Sequence, residues 1–269
     1  MFHTSSQKTY WLFPSQEELK RRRVETNRAY CEKHAQAAAQ KGCEFLTPDE
    51  EELLCQHYMK KLLEFCALFQ PPVPHSAMGT AAAYYKRFFL NSSVMEYHPR
   101  DIFLSAVYLA FKVEEYNVSV DQFVHVLAPQ FRARTAEMVL RDELLLLQKL
   151  KFHLTIHSPF RPLDGLLTDI KTRAPGISNP DQFREGSTAF LLKSLSSDAV
   201  FLYPPSQIAL AALVHSSRQT HTRVDGYIHS VVLKVEAPST GQKLLDALQR
   251  IEDMVLQADL PPSSKASLP

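Results

Sequence analysis

The sequence predicts an all-α fold: two tandem copies of one five-helix unit, with an additional N-terminal helix. Three observations carry this. Seventeen prolines against seven glycines cut the 269 residues into helix-length pieces, one stretch of the chain matches a later one at a constant offset, and each matching stretch holds a segment that is apolar on nearly every side.

Proline lacks an amide hydrogen and restricts the residue before it, so each one tends to begin or end a helix. Pro14 precedes Ser15-Gln16-Glu17-Glu18, a capping-box pattern, and predicts a helix over residues 15–41. Thr47-Pro48-Asp49-Glu50 opens the next, in which Leu54, Tyr58, Leu62, Phe65 and Phe69 recur at helical spacing until Pro71-Pro72. Further helices are expected over 75–90, 100–113, 119–127 and 135–151. Strand-like alternation is confined to stretches such as Lys151-Phe152-His153-Leu154.

The repeat is visible in one register. Tyr97, Pro99, Ile102, Leu104 and Ala106 meet Tyr203, Pro205, Ile208, Leu210 and Ala212, an offset of 203 − 97 = 106 residues. At the same offset Ala83, Tyr84 and Val94 meet Ala189, Phe190 and Val200, which points to duplication. Ile102 to Phe111 and Ile208 to Val214 read as central helices enclosed by their neighbours. Ala77, Gly79, Ala81, Ala82 and Ala83 permit a close helix approach, and Leu144, Leu145, Leu146, Leu147 and Leu150 supply core volume.

Hydrophobic residues at 45% and charged residues at 22% are those of a folded globular chain. A net charge of +1 provides no general field for a phosphate backbone. The longest apolar run, Ile102 to Phe111, is broken by Ser105 and too short to span a bilayer. The opening Met1 to Lys8 has no apolar stretch of leader length, and Cys31, Cys43, Cys55 and Cys66 contain no C-x-x-C pair, so reduced intracellular thiols are expected. Phosphate-loop, dinucleotide, zinc-protease, hydrolase and kinase motifs are all missing, and no catalytic residue, metal site or cofactor is expected.

Some residues invite two readings. His153 and His157 have a helical ligand spacing, yet the β-branched residues between them and Pro159 disfavour a metal site. Cys55 and Cys66 read as small core residues. Lys20-Arg21-Arg22-Arg23 fits a nuclear-import signal or simply a solvated helix face. Lys112 closes the first central helix and Glu143 is expected early on the leucine-rich helix, where helix-dipole compensation would account for both.

Tyr85-Lys86-Arg87-Phe88-Phe89-Leu90, followed by Leu109-Ala110-Phe111-Lys112-Val113-Glu114-Glu115, resembles the most recognisable segment of the cyclins. Phe152 to Pro162, Asp169-Ile170-Lys171-Thr172-Arg173 and Pro205 to Leu210 resemble more narrowly the branch serving the cyclin-dependent-kinase-activating kinase. The likeness covers nearly the whole chain. It implies an N-terminal extension with a helix over 1–48, a first, kinase-binding cyclin box over 49–157, a second box over 158–258 and a short Pro/Ser tail over 259–269. By motif it implies that Lys112 and Glu143 hold the backbone of a cyclin-dependent kinase catalytic subunit, with Val113, Leu147 and Phe152 as apolar contacts.

The same resemblance implies a non-catalytic regulatory subunit in the nucleus, acting in the cell cycle and in transcription. Its further partners would be a RING-finger assembly factor and the TFIIH core, with no direct nucleic acid binding and no membrane. Met59-Lys60-Lys61-Leu62-Leu63 departs from the substrate-docking patch of cell-cycle cyclins, so that mode of recruitment is not expected. Two alternatives stay open: a cyclin C-like partner of a Mediator-associated kinase, and a TFIIB-like factor that binds promoter DNA.

Overall fold

The computed structural model describes residues 2–174, 176–177, 179–233 and 238–258, with backbone alone at 238–240. The tail over 259–269 lies outside the described residues. Every regular element among those described is helical, and the chain divides into two compact units, Met1–Ile156 and His157–Pro269.

In the first unit a turn of 3-10 helix, Phe2–Thr4, leads into α1 (Ser6–Trp11). Next comes α2 (Gln16–Lys41), begun by the Ser15 hydroxyl accepting from the Glu18 amide at 3.3 Å and ended by Gly42 at φ 62°. That left-handed angle is the one glycine adopts without a Cβ penalty. A full Thr47–Glu50 capping box starts α3 (Pro48–Cys66). After it run α4 (His75–Phe89), α5 (Pro99–Val113), α6 (Val120–His125) and α7 (Pro129–Lys149).

The five-helix unit is therefore α3 to α7, with α5 packed against α4, α7 and α3. Every residue of α5 from Ile102 to Phe111 is buried, which is why its sequence shows no polar face. Ala77, Ala81 and Ala82 are at most 1% exposed and let α4 lie close to α5. Around them Phe65, Phe69, Tyr108, Phe111 and Phe123 meet mainly edge to face, a geometry that adds to plain burial. The long α2 is tied down by Asn27, which is 7% exposed. Its carboxamide donates to the Leu46 carbonyl at 2.8 Å and to Glu51 on α3 at 3.1 Å.

The second unit comprises α8 (Phe160–Arg173), a 3-10 turn Pro180–Phe183 running into α9 (Arg184–Ser194), and the short α10 (Ala199–Leu202). It continues with α11 (Pro205–Gln219), α12 (Asp225–Tyr227) merging into a π turn over Ile228–Val232, and α13 (Pro238–Gln257). Adding 106 to the bounds of α5 gives 99 + 106 = 205 and 113 + 106 = 219, the bounds of α11. Both helices begin with proline at their first position, where a missing amide hydrogen costs nothing. Like α5, α11 is buried over its central stretch, Ile208 to Leu213, and packs against α9, α13 and α8.

Gly186 on α9 makes that packing possible, since a Cβ there would meet the Ser216 hydroxyl at 2.6 Å. Glu252 of α13 is 7% exposed and accepts from two residues of α11, His215 at 2.8 Å and Arg218.

The structure differs from the sequence reading in three places. The helix α1, which the sequence reading left unassigned, precedes α2. The leucine-rich helix starts at Pro129, six residues before the expected 135, because Pro129 serves as its first residue. The same helix ends at Lys149, two residues before the expected 151, because Lys151 and Phe152 both have positive φ, 53° and 58°.

Candidate functional site

Lys112 lies in the last turn of α5, and Glu143 projects from α7 beside it, with Lys112 Nζ 2.5 Å from Glu143 Oε1. The expectation that Glu143 compensates a helix start fails, because α7 begins fourteen residues earlier at Pro129 (143 − 129 = 14). At that point on the helix a carboxylate gains nothing from the dipole, so it is Lys112 that pairs with it. The two side chains are 48% and 23% exposed. Solvent screening leaves a pair of this kind about 0–1 kcal/mol of stabilising effect. Its value to the fold is small, and both groups face outward with hydrogen-bonding capacity left over.

Apolar side chains frame the pair. Val113 follows Lys112 and is 36% exposed, Leu147 is half-buried one turn after Glu143, and Phe152 is 61% exposed just past the end of α7. Leu140 and Leu144 on the same helix are also more than half exposed. Large apolar residues gathered around a charged pair in this way cost solubility unless a partner covers them.

Phe152 owes its position to an unusual turn. The Phe152 amide donates to the Leu147 carbonyl at 3.0 Å, and the His153 amide to Leu150 at 3.0 Å, closing α7 with two consecutive left-handed residues. For residues with a Cβ that conformation costs roughly 1–2 kcal/mol each, so it needs support from elsewhere. The support comes from α4. Tyr84, fully buried, donates its hydroxyl to the Leu154 carbonyl at 2.6 Å, and Arg87, 2% exposed, donates to the His153 carbonyl at 3.1 Å. Burial pushes the Arg87 guanidinium down to about 10, which still leaves it charged at neutral pH.

All five residues singled out from the sequence thus sit in the first unit, at the junction of α5, α7 and the turn after α7. What the sequence reading missed is the role of Tyr84 and Arg87 beneath that turn. Their signal was a tyrosine and an arginine three residues apart on α4, both on the side shared with the buried Ala77 and Thr80. Among the described residues no group of His, Cys, Asp and Glu is arranged to hold a metal ion, and no helix is long and apolar enough to cross a membrane. Cys66 is buried and Cys55 half-buried, as expected of core residues, and burial pushes both thiols up to about 12.

Two successive bundles, each wrapped around an enclosed helix, with an outward charged and apolar face on the first, define the class of proteins built from paired cyclin boxes. Family models confirm it residue by residue: the cyclin N-terminal domain matches residues 43–155 and the cyclin C-terminal domain residues 158–256. The chain belongs to the cyclin family. Cyclin-H of Xenopus laevis is 40% identical over 259 residues, covering 95% of this chain and 80% of that one. A chain in the solved CAK complex of Chaetomium thermophilum bound to ATP-gamma-S is 29% identical with a TM-score of 0.82, over 95% of this chain and 79% of that one. In the yeast TFIIK (Kin28/Ccl1/Tfb3) complex a chain is 27% identical with a TM-score of 0.73, over 94% of this chain and 99% of the other.

Proposed function

We propose that this protein is a regulatory subunit that binds and activates a cyclin-dependent kinase, in a CDK-activating kinase assembly that also serves TFIIH in transcription. The observation that carries the reading is the outward Lys112–Glu143 pair framed by Val113, Leu147 and Phe152, on a cyclin chain similar to Cyclin-H and to chains of the CAK and TFIIK complexes.

The chemistry follows from what the two charges offer. The Lys112 ammonium donates hydrogen bonds and suits backbone carbonyls, while the Glu143 carboxylate accepts them and suits backbone amides. Together they clamp a helix end or loop without depending on its side chains. A kinase is active when its β3 lysine and αC glutamate are paired, and a rigid partner surface against αC favours the arrangement that pairs them. The regulatory subunit contributes no reacting group. It shifts a population, and the rigidity of α5 within its bundle is what makes the shift one-sided. An interface of this type buries on the order of 2,000 Å² or more.

In this reading the box over 49–157 takes the kinase, and the assembly holds further subunits. Those subunits are a RING-finger assembly factor and the TFIIH core, and the site of action is the nucleus. Affinity capture from nuclear extract, with mass spectrometry of the bound chains and a phosphate-transfer assay, tests all of this at once. A kinase catalytic chain, stimulated by the added protein, and a RING-finger chain are expected. A folded protein that neither retains nor stimulates any kinase chain overturns the proposal.

A further inference from the structure

The turn that carries Phe152 is gripped from a second side. Trp11, the last residue of α1 and 4% exposed, donates its indole N–H to His153 Nδ1 at 3.1 Å. Tyr10 stacks on the same imidazole, ring centroids 4.8 Å apart and 17° from parallel. Arg87, which holds the His153 carbonyl from beneath, lies over the Trp11 ring at 4.8 Å. A six-residue helix is far too short to persist alone. The order of α1 therefore comes from this docking, and the docking ends on the residue next to Phe152.

We propose that α1 is a positioning element for Phe152: Trp11 and Tyr10 fix the His153 ring from outside while Arg87 and Tyr84 fix the backbone from inside, and only together do they keep the left-handed turn that presents Phe152. The proposal rests on the reading that Phe152 meets a kinase. Without the outer half of the clasp, the turn is free to relax toward ordinary backbone angles, and the bond from the Phe152 amide to the Leu147 carbonyl that sets the ring's position is lost. Trp11, Tyr10, Arg87 and His153 are then positioning residues, since none of them is placed in the partner face itself.

The clasp also has a chemical signature. Because His153 Nδ1 accepts from Trp11, it cannot carry a proton, so the neutral ring is held in the tautomer with hydrogen on Nε2. Protonation removes the acceptor and sets a cation beside others. The groups facing His153 are Tyr10 and Trp11 from α1, Arg87 and Tyr84 from α4, and Lys151 from its own turn. Burial and then the charges of Arg87 and Lys151 hold its pKa below the usual 6.5.

The test uses the full chain, in which Trp11 is the sole tryptophan. Its emission should show an acid transition with a midpoint below 6.5, lost in His153→Asn, whose side-chain oxygen accepts from the indole without titrating. Affinity for the kinase chain should fall about tenfold in Trp11→Phe and in His153→Leu with helical content unchanged, the loss expected for a hydrogen bond and its ring contacts. His153→Asn, which keeps the acceptor but loses the ring beneath Tyr10, should bind more tightly than His153→Leu at pH 7.5 and, unlike the parent, should not weaken toward pH 5.5. If Trp11→Phe and His153→Leu bind within twofold of the parent while Lys112→Ala is impaired, the positioning role is refuted and the kinase reading stands. If Lys112→Ala is also unimpaired, the kinase does not dock on this face and the positioning role falls with it; if the parent itself binds no kinase chain, it is the kinase reading that falls. Should His153→Leu lose helix, Trp11→Phe decides, because it removes the donor and keeps an aromatic ring.

Discussion

Replacing Lys112 and Glu143 by alanine, singly and together, should separate what the pair does for the fold from what it does for a partner. With side chains 48% and 23% exposed, the contact is screened in the free chain, and a double-mutant cycle on denaturant unfolding should return a coupling of about 0.2–1 kcal/mol. Covered by a kinase, the same charges lose their water, and truncating one strands its counterpart on the partner at a cost of about 2–5 kcal/mol. At about 1.4 kcal/mol per decade, that is a weakening of roughly 30-fold to several thousand-fold in affinity. Titration calorimetry against the purified kinase chain reads the second quantity, and urea unfolding followed by circular dichroism reads the first. The reasoning predicts two numbers that differ severalfold. It fails if unfolding shows a coupling above 2 kcal/mol, which would make the pair structural, or if the kinase affinity of the double mutant stays within threefold of the parent.

Further outcomes follow from the geometry. Tyr84→Phe removes the donor to the Leu154 carbonyl and should lower stability by about 1 kcal/mol in urea unfolding, with the loss centred on the first unit. Gly186→Ala drives a methyl against the Ser216 hydroxyl and the Gln219 carboxamide, at 2.6 and 3.0 Å, and should cost about 1–3 kcal/mol; a neutral result would show that α9 and α11 can separate freely. At pH 8 a thiol reagent should label the exposed Cys43 within minutes and spare Cys66 and Cys55, whose thiols are held near 12, as peptide mass spectrometry would show. Because the folded-state pKa of His153 is depressed, its contribution to stability is complete above the unfolded value near 6.5 and is lost as pH falls through the lower folded one. The melting temperature of the parent should therefore drop between pH 7 and 5 by more than that of His153→Asn; parallel curves would contradict the assignment.

The elements that were legible in the sequence are those fixed by local signals. The prolines opening α5 and α11, the Thr47 capping box and the apolar run from Ile102 to Phe111, interrupted only at Ser105, each depend on a handful of adjacent residues, and the 106-residue offset doubled their weight. The Lys112–Glu143 contact was legible only through family likeness. Its members are 31 residues apart, and spacing alone suggested dipole compensation at a helix start that in fact lies at Pro129. The turn at 151–152 was not legible because its cause is remote. Arg87 is 66 residues from the carbonyl it holds, Tyr84 is 70 from its own, and Trp11 is 142 from His153. A side chain that bonds so far along the chain leaves no periodic trace, and a stretch such as Lys151 to Leu154 looks extended until its supports are known.

The carboxylate of Glu252 settles where α13 can lie. Sliding that helix by one turn in either direction would bring Leu248 or Leu256 (252 − 4 and 252 + 4) opposite His215 and Arg218, leaving a guanidinium and an imidazole against a hydrocarbon chain with no acceptor. A purely greasy seam would tolerate such slippage, since leucine replaces leucine. One acid in the seam thus acts as a detent that admits a single register, at whatever cost in raw stability its enclosure brings.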